Sequence, residues 1–160
     1  MIKIIVASTI NGIIGFNNSI PWKSEEDMKH FRETTMGHNV VMGKNTFLSL
    51  PKMLDGRRNI ILSKSLPSID LPTLKVVRSV EEVLETASPI EKYIFIIGGS
   101  KVYEQFLPLA DEIIMSMVIK PYRGDAVFPK INYKDWEQTN IKTISLESPI
   151  KHVVYYKRIK

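Results

Sequence analysis

Residues 24–35 read Ser-Glu-Glu-Asp-Met-Lys-His-Phe-Arg-Glu-Thr-Thr and predict the helix around which the rest of the chain is organised. Pro21 precedes this stretch and cannot occupy a helix interior, and Ser24 is a favoured N-cap residue. The helix is expected to end near Gly37. At about 100° per residue, four side chains share one side of it: Asp27, Met28, Phe31 and Thr35. The predicted apolar side therefore carries a carboxylate.

The carboxylate of Asp27 needs a partner on that side, because burying an unpaired charge is strongly unfavourable. One interpretation is a capping box, in which Asp27 accepts a hydrogen bond from the backbone amide of Ser24. The other is that Asp27 faces a cavity and binds a cationic or amidine-like group of a ligand. The spacing alone leaves both interpretations open.

Length and composition indicate a single cytoplasmic domain. The chain has 160 residues, no cysteine and a formal net charge of +5. The absence of cysteine excludes disulfides and thiol chemistry, and no stretch has the length of a membrane span or the pattern of a signal peptide. The positive charge favours anionic partners such as nucleotides, polyglutamate-like tails or nucleic acid, although the basic residues are scattered.

Strand and helix patterns alternate along most of the chain. Strands are predicted at residues 3–8, 40–42, 59–63, 75–78, 93–97 and 112–119, and two longer ones at 137–146 and 152–159. Further helices are predicted after residue 43, at 79–87 and at 100–107, and residues 11–18 are expected to form a long irregular loop. This order predicts an α/β fold with a parallel-rich sheet and an antiparallel C-terminal hairpin.

Three turns at strand ends are candidates for binding a phosphorylated cofactor. They are residues 98–100 (Gly-Gly-Ser), 43–46 (Gly-Lys-Asn-Thr) and 63–64 (Ser-Lys). Helix starts offer free amides to phosphates, and lysines at strand ends favour the 2′-phosphate of NADP. His38 stands where a P-loop needs glycine, which argues against an NTPase. Tight turns and surface lysines are the plainer interpretation.

Arg57 and Ser116 are further candidates. Arginine suits bidentate binding of a carboxylate, and a hydroxyl within the apolar strand around Ser116 needs a partner, which could be no more than a backbone carbonyl. The chain shows no metal-ligand spacing and no nucleophile beside a base.

An ordered set of short motifs extends over the whole chain. It comprises Ile14-Gly15, Ile20-Pro21-Trp22, Asp27, Phe31, residues 41–46, Leu54, residues 56–59, 97–99 and 102–108, Gly124-Asp125 and Phe128-Pro129. Each motif is common, but their order and spacing together are highly specific. In this set the chain resembles the dihydrofolate reductase family, bacterial chromosomal type.

The resemblance implies one domain over residues 1–160, with an eight-stranded, mostly parallel sheet flanked by helices. It implies that NADPH and a pterin meet in one cleft. A hydride would pass from nicotinamide C4 to C6 of 7,8-dihydrofolate, with protonation at N5, and the tetrahydrofolate formed would supply one-carbon metabolism. The implied partners are dihydrofolate and antifolate inhibitors, with no metal, nucleic acid or membrane, and the implied state is a monomer.

The resemblance also assigns site residues. Catalytic roles fall to Asp27, Trp22 and Ser116. Substrate contacts are expected from Ile5, Val6, Asp27, Met28, Phe31, Arg32, Lys52, Leu54, Arg57, Ile97, Tyr103 and Ser116. Cofactor contacts are expected from Ala7, Ile14, Gly15, Asn18, Ile20, Gly43, Lys44, Asn45, Thr46, Leu62, Ser63, Lys64, Arg78, Gly98, Gly99, Ser100, Lys101, Val102 and Tyr103. Asp27 and Ser116 would hold the pterin edge, Arg57 would bind the glutamate α-carboxylate, and the Gly98–Gly99 peptide is expected to be cis.

Two other functions compete with this interpretation. A catalytically silent protein that binds nucleotides or nucleic acid through its positive surface would show salt-dependent binding, but aromatic residues do not interleave with the basic ones. A related pterin or pyrimidine reductase would act on another ring, whereas Asp27 together with Arg57 favours a folate with a glutamate tail. Some positions depart from the family pattern, among them Ser100 in place of a third glycine and Ser116 where threonine is usual.

Overall fold

A computed structural model of the chain describes residues 1–17, 19–87 and 93–160. The strands it contains are β1 (Ile2–Thr9), β2 (Ile13–Gly15), β3 (Asn39–Gly43), β4 (Arg58–Leu62), β5 (Leu74–Val77), β6 (Ile94–Ile96), β7 (Glu112–Val118), β8 (Ala126–Val127), β9 (Trp136–Thr143) and β10 (Ile150–Arg158). The helices are α1 (Glu25–Thr35), α2 (Lys44–Ser49), α3 (Val80–Thr86) and α4 (Ser100–Phe106), and a 3₁₀ turn at Leu107–Leu109 follows α4.

Eight of these strands form one sheet in the order β5-β4-β3-β6-β1-β7-β10-β9. Neighbouring strands are parallel from β5 to β7, and β10 is antiparallel to both β7 and β9. The predicted parallel-rich sheet with an antiparallel C-terminal hairpin is therefore confirmed. The parallel strands end at the same edge, which is where such sheets bind ligands.

The central strand β1 is buried on both faces because it lies between β6 and β7 and carries β-branched residues on alternate sides. Ile4 and Val6 pack in one apolar cluster together with Phe106. Ile5 packs in another together with Phe95. Since successive side chains of a strand point to opposite faces, these clusters fill the two layers on either side of the sheet. Packing on both faces therefore holds β1, and with it the residues at its carboxyl end, in place.

Helix α1 begins where the capping pattern predicted, because the Oγ of Ser24 accepts a hydrogen bond from the amide of Asp27 at 3.1 Å. The predicted apolar side differs from the structure at Met28, which is 65% exposed, and it omits His30, which was assigned to neither side and is only 6% exposed. Viewed down the helix axis at about 100° per residue, the side chains that face the protein occupy a sector of roughly 140°, with His30 at one edge and Thr35 at the other. Met28 lies just outside this sector.

The predicted loop at residues 11–18 is wrong in part. Within it, β2 pairs antiparallel with β8 in a separate two-stranded sheet, and Ile13 lies opposite Val127. Three residues are too few to show a strand period, and the partner lies more than a hundred positions away, so local pattern could not predict this pairing. Asn18 lies outside the described residues.

In the part of the chain that the structure describes, no helix is long and apolar enough to cross a membrane. The same residues contain no group of histidine and acidic side chains placed to hold a metal ion.

Candidate active site

The strand-to-helix turns predicted to bind a cofactor do converge at the carboxyl edge of the sheet. The amide of Gly43, which ends β3, donates to the carbonyl of Gly98 after β6 at 2.9 Å. The Gly98–Gly99 peptide is cis, as expected. Gly43 lies so close to α4 that a Cβ there would be 3.1 Å from Cγ2 of Val102. The two helix starts are thus held against each other.

Asp27 and Ser116 meet across this edge. The Oγ of Ser116 on β7 donates a hydrogen bond of 2.5 Å to Oδ1 of Asp27 on α1. Ser116 is 2% exposed and stands opposite Ala7 of β1 in the sheet register. The carboxylate therefore bonds to β7 while Ser24 caps the helix. This geometry favours the cavity interpretation of Asp27 over a reciprocal capping box.

The environment of Asp27 disfavours its ionised form. Burial raises the pKa of this carboxyl group above its ordinary value, and the hydrogen bond from Ser116 and the nearby His30 oppose that rise. Because desolvation is the largest cause, the group retains a proton to higher pH than a carboxyl on the surface. Such a carboxyl can accept hydrogen bonds when ionised and hold a proton when neutral.

An apolar wall lies beside this carboxylate. Phe31, Leu54 and Ile97 are half-buried and pack against the cluster that contains Ile5. Met28 lies on the same helix and is exposed, as described above. These side chains therefore leave apolar surface at the edge of the sheet, which suits a flat aromatic ligand.

Four further predicted residues lie near β1 but outside this wall. Trp22 is 8% exposed and forms a third cluster, against which Ala7 packs. Val6 and Tyr103 belong to the cluster on the opposite face of the sheet from Phe31. The hydroxyl of Tyr103 donates to the carbonyl of Ile5 at 2.8 Å, and burial raises the pKa of this phenol.

Arg57 lies at the far end of the wall and is only 5% exposed. Its Nη1 donates to Oγ1 of Thr35 at 3.0 Å and its Nε to the carbonyl of Asp55 at 2.9 Å. These bonds use two of its five N–H donors. Arg32, a weaker candidate for the same role, makes two hydrogen bonds of 2.9 Å to the carboxylate of Asp55. Lys52 is exposed.

The lysines and serines predicted to bind phosphate surround the loop after β4. Nζ of Lys44 donates to Oγ of Ser65 at 3.1 Å. Oγ of Ser63 accepts from the amides of Ser65 and Leu66, and Nη1 of Arg78 donates to the carbonyls of Ser63 and Leu66 at 2.8 and 2.6 Å. Arg78 thus orders the loop that carries Ser63.

The other predicted cofactor residues vary in exposure. Ser100 stands out, because its Oγ is buried and has no hydrogen-bond partner among the described residues. Exposed positions are Ile20, Asn45, Lys64 and Lys101; half-buried ones are Ile14, Thr46, Leu62 and Gly99; buried ones are Gly15 and Val102.

Comparison with known proteins explains this arrangement. A family model described as dihydrofolate reductase matches residues 1–158. The chain belongs to the dihydrofolate reductase family. The resemblance found in the sequence motifs and the predicted oxidoreductase class are confirmed.

Relatives within the dihydrofolate reductase family match most of the chain. The enzyme of Staphylococcus aureus (strain Mu50 / ATCC 700699) is 32% identical over 136 residues, which cover 85% of this chain and 82% of that protein. The enzyme of Bacillus subtilis (strain 168) is 34% identical over 137 residues, covering 86% and 80%. A solved structure of dihydrofolate reductase from Enterococcus faecalis, complexed with NADP(H) and RAB-propyl, superposes with a TM-score of 0.88 at 30% identity and covers 100% of this chain and 97% of that one.

Two residues that lie next to the predicted site residues were missed by sequence reasoning. Asp55 lies 3.6 Å from Nη2 of Arg57 and binds Arg32 as well. His30 lies buried one turn after Asp27 on α1. A lone aspartate in a loop gives no periodic signal, and a histidine just outside the predicted apolar side gives only a weak one.

Proposed function

We propose that the protein reduces 7,8-dihydrofolate to 5,6,7,8-tetrahydrofolate with NADPH, and that Asp27 and Ser116 hold the pterin. The observation that carries the proposal is their hydrogen bond at the carboxyl edge of the sheet, between an apolar wall and two helix starts. Membership of the dihydrofolate reductase family supports both the reaction and the cofactor.

The residues at the helix starts fit a phosphorylated cofactor. The buried Oγ of Ser100 follows the two glycines and has no partner among the described side chains and backbone groups, so a phosphate oxygen would satisfy it. Gly98 has a φ of +126°, a backbone conformation that residues with a side chain rarely adopt, so the turn at this helix start requires glycine. Lys44 and Lys64 supply positive charge for a 2′-phosphate. When bound, NADPH supplies the hydride that reduces C6.

Asp27 binds and orients the pterin in this proposal. Its carboxylate accepts hydrogen bonds from the 2-amino group and N3, while Ser116 keeps one carboxylate oxygen in place. Phe31 and Ile5 exclude water from the ring faces. Because burial raises the pKa of Asp27, the group is protonated more readily than a surface carboxyl, and the proton that N5 receives travels through water beside Trp22.

Arg57 binds the α-carboxylate of the glutamate tail. Thr35 and Asp55 fix its guanidinium through the bonds described above, so the donors that remain are already oriented. An oriented guanidinium binds a carboxylate with two parallel hydrogen bonds and loses little side-chain entropy in doing so. Lys52 and Arg32 add positive charge nearby.

The test is an absorbance assay of the purified chain. We expect NADPH to be consumed when dihydrofolate is present and not when it is omitted, and trimethoprim added to the same assay tests whether an antifolate inhibits the reaction. A protein that consumes no NADPH but binds DNA or RNA with steep salt dependence would contradict the proposal.

A monomer in the cytoplasm completes the proposal. The sequence has no cysteine to suggest an oxidising compartment, and the implied state of the family resemblance is a monomer. Sedimentation of the active protein at the mass of one chain is expected.

A further inference from the structure

His30 is a buried titratable residue that the proposed chemistry leaves without a role. Its side chain is 6% exposed, and its Nδ1 lies 3.5 Å from Oγ1 of Thr34. Its Nε2 is buried and has no hydrogen-bond partner within the described part of the chain. A buried polar atom without a partner destabilises the folded state, so an apolar side chain would serve packing better.

The position of His30 relates it to Asp27. The two residues are three apart on α1, so they occupy neighbouring places on the face of the helix that is turned towards the protein. Three charged groups act on the ring: Asp27 and Glu33 on the same helix, and Lys142 on β9. The two carboxylates favour the protonated ring, and Lys142 opposes it.

We propose that His30 is a positioning residue for Asp27, whose imidazole, when protonated, keeps the neighbouring carboxylate ionised and able to accept hydrogen bonds from the pterin. The proposal rests on the function proposed above, because it assumes that Asp27 binds the ligand. It assigns the buried ring, whose Nε2 has no partner among the described residues, an electrostatic role that a hydrocarbon side chain could not perform.

The electrostatics of the two groups are reciprocal. A charged His30 lowers the pKa of Asp27, and a charged Asp27 raises the pKa of His30, while burial acts in the opposite direction on each and is the larger cause in both. Groups coupled in this way exchange protons as a pair. Replacing either one must therefore shift the titration of the other.

The direct test follows the side-chain carboxyl carbon of Asp27 by NMR in the full chain without ligand. In His30→Gln we expect its titration midpoint to rise by about 0.5–1 pH unit, the size expected for losing a partly solvated charge nearby. The matched control is His152→Gln, since His152 lies on β10 with its ring 3.2 Å from Thr143 and should leave the midpoint unchanged. An unchanged midpoint in His30→Gln overturns the proposal.

A second measurement does not require a substitution at His30. In Lys142→Gln, a change at an exposed strand position, the midpoint of the His30 ring should rise, and in Asp27→Asn it should fall. If the ring titrates identically in wild type and Asp27→Asn, the two groups are not coupled and the proposal fails.

Kinetics then separates an electrostatic role from a packing role. In His30→Gln the inflection of kcat/KM that reports Asp27 should move to higher pH by the amount seen in the NMR titration, whereas a packing defect would lower kcat/KM equally at every pH. If wild-type protein consumes no NADPH with dihydrofolate, the proposed function fails, and the titration of the free protein still decides whether His30 and Asp27 are coupled.

Discussion

At the scale of single residues, the site depends on a carboxyl group placed where it is destabilised when charged. Sequence periodicity placed Asp27 on the inner side of α1, and the capping alternative was a local explanation of the same spacing. What sequence could not supply was the partner, because Ser116 is 89 positions away and approaches only through the sheet. The same holds for Asp55, whose contacts with two arginines depend on how a loop folds back.

Replacing Asp27 with asparagine tests its role in turnover. We expect Asp27→Asn to slow NADPH consumption at neutral pH by about 10²–10⁴-fold, the usual scale of proton-transfer assistance, because an amide cannot exchange the proton. Asp70→Asn alters an exposed carboxylate and should leave the rate unchanged. Full activity in Asp27→Asn would refute the assignment.

The same substitution should stabilise the fold. The pKa of Asp27 is higher in the folded chain than in the unfolded chain, so this group takes up protons on folding. Folding therefore becomes less favourable as pH rises through the range between these two pKa values. Asp27→Asn removes this effect, so we expect the free energy of unfolding to rise at neutral pH and to be unchanged below pH ~4, where the carboxyl is neutral in both states. Urea unfolding of both proteins at the two pH values measures the difference in their free energy of unfolding. An equal loss of stability in Asp27→Asn at both pH values would contradict the expected gain.

Arg57 offers a test of substrate recognition. We expect Arg57→Lys to raise KM for dihydrofolate about tenfold or more, because lysine cannot form the paired hydrogen bonds. A pterin that lacks the glutamate tail should be reduced equally by both proteins. Lys134→Gln removes an exposed charge outside the assigned site and serves as the control, and a similar effect there would assign the recognition to net charge.

At the scale of elements, the boundaries that carry a local chemical signal were predicted well. Helices α1 and α3 begin after serine caps that the sequence marks, and the apolar strands lie where the hydrophobic runs do. The β2–β8 pair was missed because its hydrogen bonds join short segments far apart in sequence. The local hydrophobic pattern does not predict elements that are stabilised mainly by contacts with distant parts of the chain.

The two serine caps form a matched pair for testing α1. Ser24 and Ser79 each accept a hydrogen bond from the amide three residues on, at 3.1 Å in both cases. Loss of either cap to alanine should cost about 1 kcal/mol. Ser24→Ala should cost more than Ser79→Ala, because Ser148 also donates to the Ser24 hydroxyl at 2.7 Å.

Only the change at Ser24 should affect catalysis, since α1 carries Asp27 and α3 carries none of the assigned residues. Denaturant unfolding together with kcat/KM for both variants measures the two effects. Equal losses of kcat/KM in the two would mean that α1 does not position the site.

At the scale of the whole molecule, strands from both ends of the chain share one sheet, so we expect residues 1–160 to unfold as one domain. Its two tryptophans report different parts of it: Trp22 packs beside Ala7 and Trp136 begins β9 in another cluster. In Trp22→Phe and Trp136→Phe, the fluorescence that remains should follow a urea transition coincident with that of circular dichroism for the same variant. Separate transitions would indicate two folding units.

The position of β1 has a consequence for synthesis of the chain on the ribosome. This strand emerges first, but its two neighbours in the sheet are β6 and β7, which are not complete until Ile96 and Val118. Throughout that interval an apolar segment with two open edges has no native partner. Nascent chains halted before β6 should therefore need a holding chaperone to remain in solution, and those extended past β7 should not.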